Sequence, residues 1–254
     1  MHKLLLICSL ILCCCAVSPV WADDHEDESY ILLINHYNVD PEHINDFMAG
    51  GEAWKKCYLE NGGTESWTIW RRMQGEGVTF TFTKAFSNWQ HFFAGEEAVN
   101  KCQSVVSEQI MPYVLSMNGG FARNIPEWTS QDAGSGLIVD VHNFRVKDYG
   151  LFDTTVEAVQ AATKDDGHGA NSWYYTIGGR DDAELFVVEY YADPAAMDAK
   201  TPGVWERLEE AVGEERSKQL QNDFINSVDE MWSYLYAQLP DLSHAPENSG
   251  TAQE

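Results

Sequence analysis

Beyond its first thirty residues, this chain reads as one unit written twice, and that duplication limits the fold more than any single motif. Ser66-Trp67 lies within Gly62-Gly63-Thr64-Glu65-Ser66-Trp67-Thr68-Ile69-Trp70, and Ser172-Trp173 follows 106 residues later within His168-Gly169-Ala170-Asn171-Ser172-Trp173-Tyr174-Tyr175. In nearly the same register Tyr30–Asn38 answers Leu137–Arg145, and Thr79–Thr83 answers Phe186–Tyr190. Arg123–Pro126 answers Ala237–Pro240 at a slightly larger offset, which marks an insertion. A repeat of about a hundred residues is too long for a solenoid unit and is the size of a small domain.

Residues 1–22 stand apart from the repeat. A short basic start (Lys3), an apolar run from Leu4 to Val17 and small residues around Val20-Trp21-Ala22 read as a secretory signal peptide, too short to span a membrane. Cys13-Cys14-Cys15 raises a lipid-anchor reading, which Leu12 disfavours because a lipid-modified Cys normally follows a small residue. Export to a periplasmic or extracellular space is the expectation. The net charge of −24 argues against nucleic acid and anionic membranes as partners. No second long apolar run exists, so no stable membrane insertion is expected. Cys57 and Cys102 are the only cysteines outside the signal segment. In an exported protein one disulfide is their simplest use, with two free thiols as the alternative.

Apolar periodicity gives the same element order in each copy. Tyr30–Asn38 reads as a strand. Asp40-Pro41 opens a helix carrying Ile44, Phe47, Met48, Trp54 and Tyr58, and Asn61-Gly62-Gly63 stops it. Ser66–Met73 and Val78–Thr83 form a hairpin around Gln74-Gly75-Glu76-Gly77. Ser87 caps a helical region with a stripe from Val99 to Tyr113, and Phe121–Asn124 is a last short strand after Gly119-Gly120. In the second copy Leu137–Arg145, Ser172–Ile177, Glu184–Tyr191 and Trp232–Leu239 are strands, and Asp193-Pro194 caps a helical region reaching Val228. The chain thus divides into a signal (1–22), an acidic leader (23–29), repeat one (30–127), a linker (128–136), repeat two (137–242) and a disordered polar tail (243–254). Each repeat is β-α-β-β-α-β, the ferredoxin-like unit, whose open sheet face needs a partner. The fold class is therefore α+β, with two tandem units burying those faces against each other. A monomer of pseudo-dimeric form or a homodimer both satisfy this pattern.

This order, together with Tyr30-Ile31-Leu32-Leu33-Ile34-Asn35, Ser66-Trp67-Thr68-Ile69-Trp70 and Phe80-Thr81-Phe82, resembles the dimeric α+β-barrel superfamily, which includes antibiotic-biosynthesis-monooxygenase-like proteins. The resemblance implies a barrel that binds, and in its enzyme members oxidises, a small aromatic or hydrophobic compound. It implies no cofactor in the monooxygenase-like members, while haem serves in others. In cofactor-free relatives an Asn, a Trp and a His or Arg organise the substrate, which points here to Asn35, Trp67, Arg71 and His91. A non-catalytic ligand- or protein-binding module is the competing class.

The residues add candidates of their own. In the first strands Ile31, Leu33, Asn35 and Tyr37 share one face and match Ile138, Asp140, His142 and Phe144. The more uniformly apolar faces, Leu32 with Ile34 and Val139 with Val141, are expected to meet the helices, so Asn35, Tyr37, Asp140 and His142 should line the barrel interior. Asp140-x-His142 could act as an acid–base pair or simply satisfy itself in a hydrated lining. Trp67 and Trp173 serve either as an aromatic wall for a flat ligand or as core. His36 is read as structural, and His43 and His168 as solvated. The loop Asp165-Asp166-Gly167-His168-Gly169 lacks the full calcium-binding pattern, so no metal site is assigned. Expression with an export pathway should release a protein starting at Asp23, and intact-mass measurement of the secreted product checks it.

Overall fold

A computed structural model describes residues 29–130, 136–164, 169–179 and 182–245. The expected signal peptide, nearly all of the leader, the centre of the linker, residues 165–168 and the tail from residue 246 lie outside the described residues. Eight strands form one closed, wholly antiparallel ring in the order β1-β3-β2-β8-β5-β7-β6-β4. The first half supplies β1 (Ile31–Val39), β2 (Thr68–Arg72), β3 (Val78–Phe86) and β4 (Val114–Asn124). The second supplies β5 (Ile138–Val146), β6 (Ala170–Ile177), β7 (Leu185–Tyr191) and β8 (Val228–Gln238). The halves join where the edge strands meet. Trp70, Arg71 and Arg72 of β2 face Gln238, Ala237 and Tyr236 of β8, and Phe121–Asn124 of β4 face Ile177–Tyr174 of β6.

Helices cover the outside of the ring. Half one carries α1 (Ile44–Glu60), α2 (Trp89–Ala94), α3 (Glu97–Lys101) and α4 (Gln103–Val105), the last running into a π turn, Val106–Ile110. Half two carries α5 (Tyr149–Thr163), α6 (Pro194–Asp198), α7 (Val204–Val212) and α8 (Glu214–Ser227). Asp40 caps the entry to α1 by accepting from the Glu42 amide, and Asp148 caps α5 by accepting from that of Leu151. The cap of α2 is Asn88, whose side chain accepts from the His91 amide, rather than Ser87. The expected continuous helix of half two is broken beside Pro202-Gly203 and at Gly213, where φ is +85°. Strand β4 begins seven residues before the expected Phe121, so Gly119-Gly120 lie inside a strand. Full-length pairing with β1, from Ile31–Arg123 to Val39–Val114, overrides the helical stripe and the two glycines.

The expected faces of the strands are reversed. Leu32, Ile34, His36, Val139, Val141 and Asn143 point into the ring, whereas Asn35, Tyr37, Asp140 and His142 point outward. The premise was that the more apolar face meets helices. In a closed ring the interior is as enclosed as any core and takes an equally apolar face. There Val139, Phe186, Val188, Tyr174 and Tyr236 pack against Leu32, Ile34 and Val141. Outside, half two has an aromatic core: Phe144 stacks on Trp173 at 5.7 Å, with Phe152, Phe224 and Trp128 around them.

A disulfide joins Cys57, in the last turns of α1, to Cys102 after α3, with Cα atoms 5.9 Å apart. Ser243 and His244, placed by the sequence in a disordered tail, belong to the fold: His244 bridges to Trp67, and the Ser243 hydroxyl accepts from the Ile69 amide at 2.9 Å. The disulfide closes a 45-residue separation, and such cross-links stabilise by about 2–4 kcal/mol. The Cys57→Ala/Cys102→Ala double variant should lose stability in that range in denaturant unfolding.

Candidate functional site

Two cavities share the half-one wall. One is the ring interior, of about 570 Å³. The other, of about 370 Å³, lies between the outer face of the half-one strands and their helices. Both fall within the range of small-molecule sites. The outer cavity is mostly apolar, with Phe80 and Phe82 on the sheet side and Phe47, Trp54 and Val99 on the helix side. The matching layer of half two is filled by Phe144, Trp173, Phe152 and Phe224.

One end of the outer cavity carries a charged cluster. Lys84 points outward from β3 on the same face as Phe80 and Phe82, and its side chain is only 11% exposed. Its ammonium lies 2.5 Å from Glu65 Oε2 and hydrogen-bonds Glu96 Oε2 at 3.0 Å. The first contact is an ion pair, not a well-aligned hydrogen bond, and Oε2 of Glu65 has no other partner. Glu65 Oε1 is 2.8 Å from His91 Nε2, and Ser87 Oγ lies 3.3 Å from His91 Nδ1. The Tyr58 hydroxyl donates to the Glu96 carboxylate at 2.7 Å and accepts from the Glu65 amide at 2.9 Å. Gly63 lies flat against the Tyr58 ring, where a Cβ would come within 2.2 Å of it. Two carboxylates thus face one ammonium, which leaves one negative charge beside His91.

Protonation follows from these contacts. Burial alone would push the Glu65 carboxyl up, but the Lys84 ammonium and the His91 ring outweigh it and hold Glu65 below its ordinary value. Burial, then the bond to Glu96, pushes the Tyr58 hydroxyl up, so it stays protonated as a donor.

Four candidates from the sequence, Asn35, Tyr37, Trp67 and His91, meet at this outer cavity. Asn35 has room because Gly119 lies opposite it on β4; a Cβ there would sit 2.3 Å from Asn35 Oδ1. Trp67 also carries structure: its indole N–H donates to Leu242 O at 2.9 Å, and its ring meets Trp54 and Tyr58 edge-on. Arg71 lies outside the cavity, with its guanidinium 6.0 Å from the centroid of the lining Phe80 ring. Trp173 is core. The Gln160 amide, oriented to satisfy both its groups, accepts from Trp173 Nε1 at 3.2 Å.

Asp140 and His142 lie on the outer face of half two, away from both cavities. Their closest approach is 3.6 Å, with Glu189 at 3.9 Å, beyond hydrogen-bond reach. Sequence alone did not single out Glu65, Lys84, Glu96 and Tyr58, which come from separate elements and meet only in the fold. A charged Lys84 alternating with Phe80, Phe82 and Phe86 on a buried strand face was the available signal. Among the described residues no group of three His, Cys, Asp or Glu could hold a metal ion, and no helix is long and apolar enough to cross a membrane.

No protein-family model matches the chain, and no curated protein matches it in sequence. Its fold does match solved structures. A candidate monooxygenase from Lactobacillus acidophilus NCFM superposes with a TM-score of 0.52 at 11% identity, covering 83% of this chain and 94% of that one. A candidate monooxygenase from Fusobacterium nucleatum superposes equally well, at 11% identity over 83% and 92% of the two chains. A chlorite dismutase from Candidatus Nitrospira defluvii gives 0.51 at 8% identity over 85% and 92%. The chain shares the fold of these structures, here a closed eight-stranded antiparallel ring flanked by helices with both halves in one chain.

Replacing Lys84 by Met leaves Glu65 and Glu96 partly buried without their cation. That should cost about 3 kcal/mol, the lower end for a broken buried pair because the carboxylates keep some solvent. Glu65 is depressed in the fold, so its contribution is present above the ordinary value of 4.5 and is lost as pH falls through the lower folded value. Unfolding measured from pH 7 to pH 3 should show this acid-sensitive part in the native protein and its absence in Lys84→Met.

Proposed function

We propose that the chain is an exported protein that binds a small, largely apolar aromatic compound in the outer cavity of half one and oxidises it with molecular oxygen. One observation carries this reading: half one keeps open the layer that half two fills, and the open layer ends on the Glu65–His91 pair. The fold's presence in candidate monooxygenases agrees with it, and the Cys57–Cys102 bond suits an oxidising compartment.

The chemistry assigns a role to each group. Phe80, Phe82 and the Trp67 ring hold an aromatic body. Asn35 and Tyr37, from β1, orient its polar substituents. Glu65 engages His91 Nε2, and Nδ1 exchanges its long 3.3 Å contact with Ser87 Oγ for an acidic C–H of the substrate, whose proton it takes. The resulting carbanion supplies electrons to oxygen. A methylene then becomes a carbonyl, the second oxygen atom leaves as water, and His91 returns its proton. Haem, which serves in some members of the superfamily, is not matched by these residues. Among the described residues His91 is the one imidazole lining this cavity, and both its ring nitrogens face other side chains.

The test uses anthrone, an aromatic ketone with an acidic methylene. The protein should bind it and consume oxygen. His91→Gln should lower the rate about a hundredfold or more with binding retained, and Val99→Phe, which fills the cavity, should abolish both. Binding without oxygen uptake would leave a carrier rather than an enzyme. An unaffected Val99→Phe variant, or a haem absorption band in protein from its own host, would overturn the proposal.

A further inference from the structure

The ring interior is a second cavity, and its shape comes from the same divergence between halves. The interior positions of β3 are Thr79, Thr81 and Thr83, where β7 carries Phe186, Val188 and Tyr190. Gly120 of β4 thins the same wall. An eight-stranded barrel has room either for its own side chains or for one small ligand. Here the large side chains of half two fill their side, and the small ones of half one leave the opening.

Its two ends differ. Near the start of β1 the Tyr30 and Tyr174 hydroxyls lie 2.6 Å apart, and Tyr190 donates to Ser172 at 3.2 Å. Burial pushes Tyr30 up to about 12 and raises Tyr174 and Tyr190, so these phenols are uncharged. Near the end of β1, His36 Nδ1 is paired with Thr81 Oγ1 at 2.8 Å, and His36 Nε2 has no protein partner among the described residues. Arg72 stacks over the Tyr234 ring at 4.8 Å, gives one terminal nitrogen to Glu76 O, and keeps its buried Nε without an acceptor. Asp182, bonded to Asn118 at 3.2 Å, offsets the Arg72 charge at this end. Burial lowers the His36 pKa, with Asp182 opposing and Arg72 adding to the effect, so the ring is neutral.

We infer that the ring interior is a second binding site, distinct from the outer cavity, for an uncharged aromatic molecule bearing a hydroxyl or carbonyl group. The apolar walls take the rings. The polar group meets His36 Nε2 and the unsatisfied Arg72 Nε, because a buried donor left without an acceptor is costly. A charged ligand is disfavoured, since Arg72 and Asp182 already balance one another.

The probe is 2-naphthol, titrated calorimetrically into the full chain. The native protein should bind two equivalents. Thr81→Phe should delete one site, and His36→Leu should weaken that site about tenfold, the worth of one hydrogen bond. Val99→Phe should delete only the other. If Thr81→Phe does not fold, His36→Leu carries the test alone. One equivalent, removed by Val99→Phe and untouched by His36→Leu, would overturn the second site while leaving the outer one intact. Absence of any binding up to the solubility of 2-naphthol would also overturn it.

Discussion

Everything in this molecule depends on the pairing of four edge strands. A four-stranded ferredoxin-like sheet has two edges and one bare face, and each is a liability in water. Joining β2 to β8 and β4 to β6 removes all four edges in one step and turns both bare faces inward. Because both halves are in one chain, this closure is intramolecular and gains from a high effective concentration. The two-sided wall follows from it. Each strand presents alternate residues to an enclosed interior and to a helix layer, so one strand can line two separate cavities.

The duplicated order of elements was legible because strand and helix periods differ sharply and Gly, Pro and Asp mark the joints. Asp40-Pro41, Gln74–Gly77 and Asp193-Pro194 all do what their chemistry dictates. Which strand face turns inward was not legible. Leu32-Leu33-Ile34 is apolar on both faces, as a strand buried on both sides must be, so alternation carried little information. Asn35 and His142 then tilted the reading toward a polar interior. The start of β4 misled for a related reason: Leu115 and Met117 are exposed, so that stretch shows no inward stripe, and only pairing with β1 identifies it. The candidate site was partly legible. Asn35, Tyr37, Trp67 and His91 do converge, on the opposite side of the wall from the one expected, while Lys84, Glu65 and Glu96 meet only through tertiary contact.

The two copies show a division of labour. Half two spends its aromatic residues on packing, with Phe144, Phe152, Trp173 and Phe224 in mutual contact and Phe152 fully buried. Such a core is close-packed and leaves no room for a guest. Half one keeps an aromatic lining but leaves space within it, and its helices are held by other means. The disulfide fixes the end of α1 to the end of α3, and the Trp67 indole ties the Leu239–His244 segment over the same region. An unfilled layer lacks dispersion contacts on one side, so a covalent tie in that half alone fits where the packing is weakest.

The charged cluster gives the strongest reason to read that space as a site rather than a packing fault. Placing an ammonium and two carboxylates at the edge of an apolar cavity is expensive, and an apolar substitute of similar volume is often no less stable. Lys84, Glu65, Glu96 and Tyr58 are nonetheless joined to one another by ion pairs and hydrogen bonds, and Glu65 Oε1 in turn holds His91. A fault in packing would be relieved by any apolar residue at position 84. A network that fixes Glu65, and through Glu65 the His91 ring, holds an imidazole at the end of an apolar chamber in one orientation. Fixed polar groups facing an apolar space are what binding and proton transfer require of a protein, and stability alone gives no reason for them here.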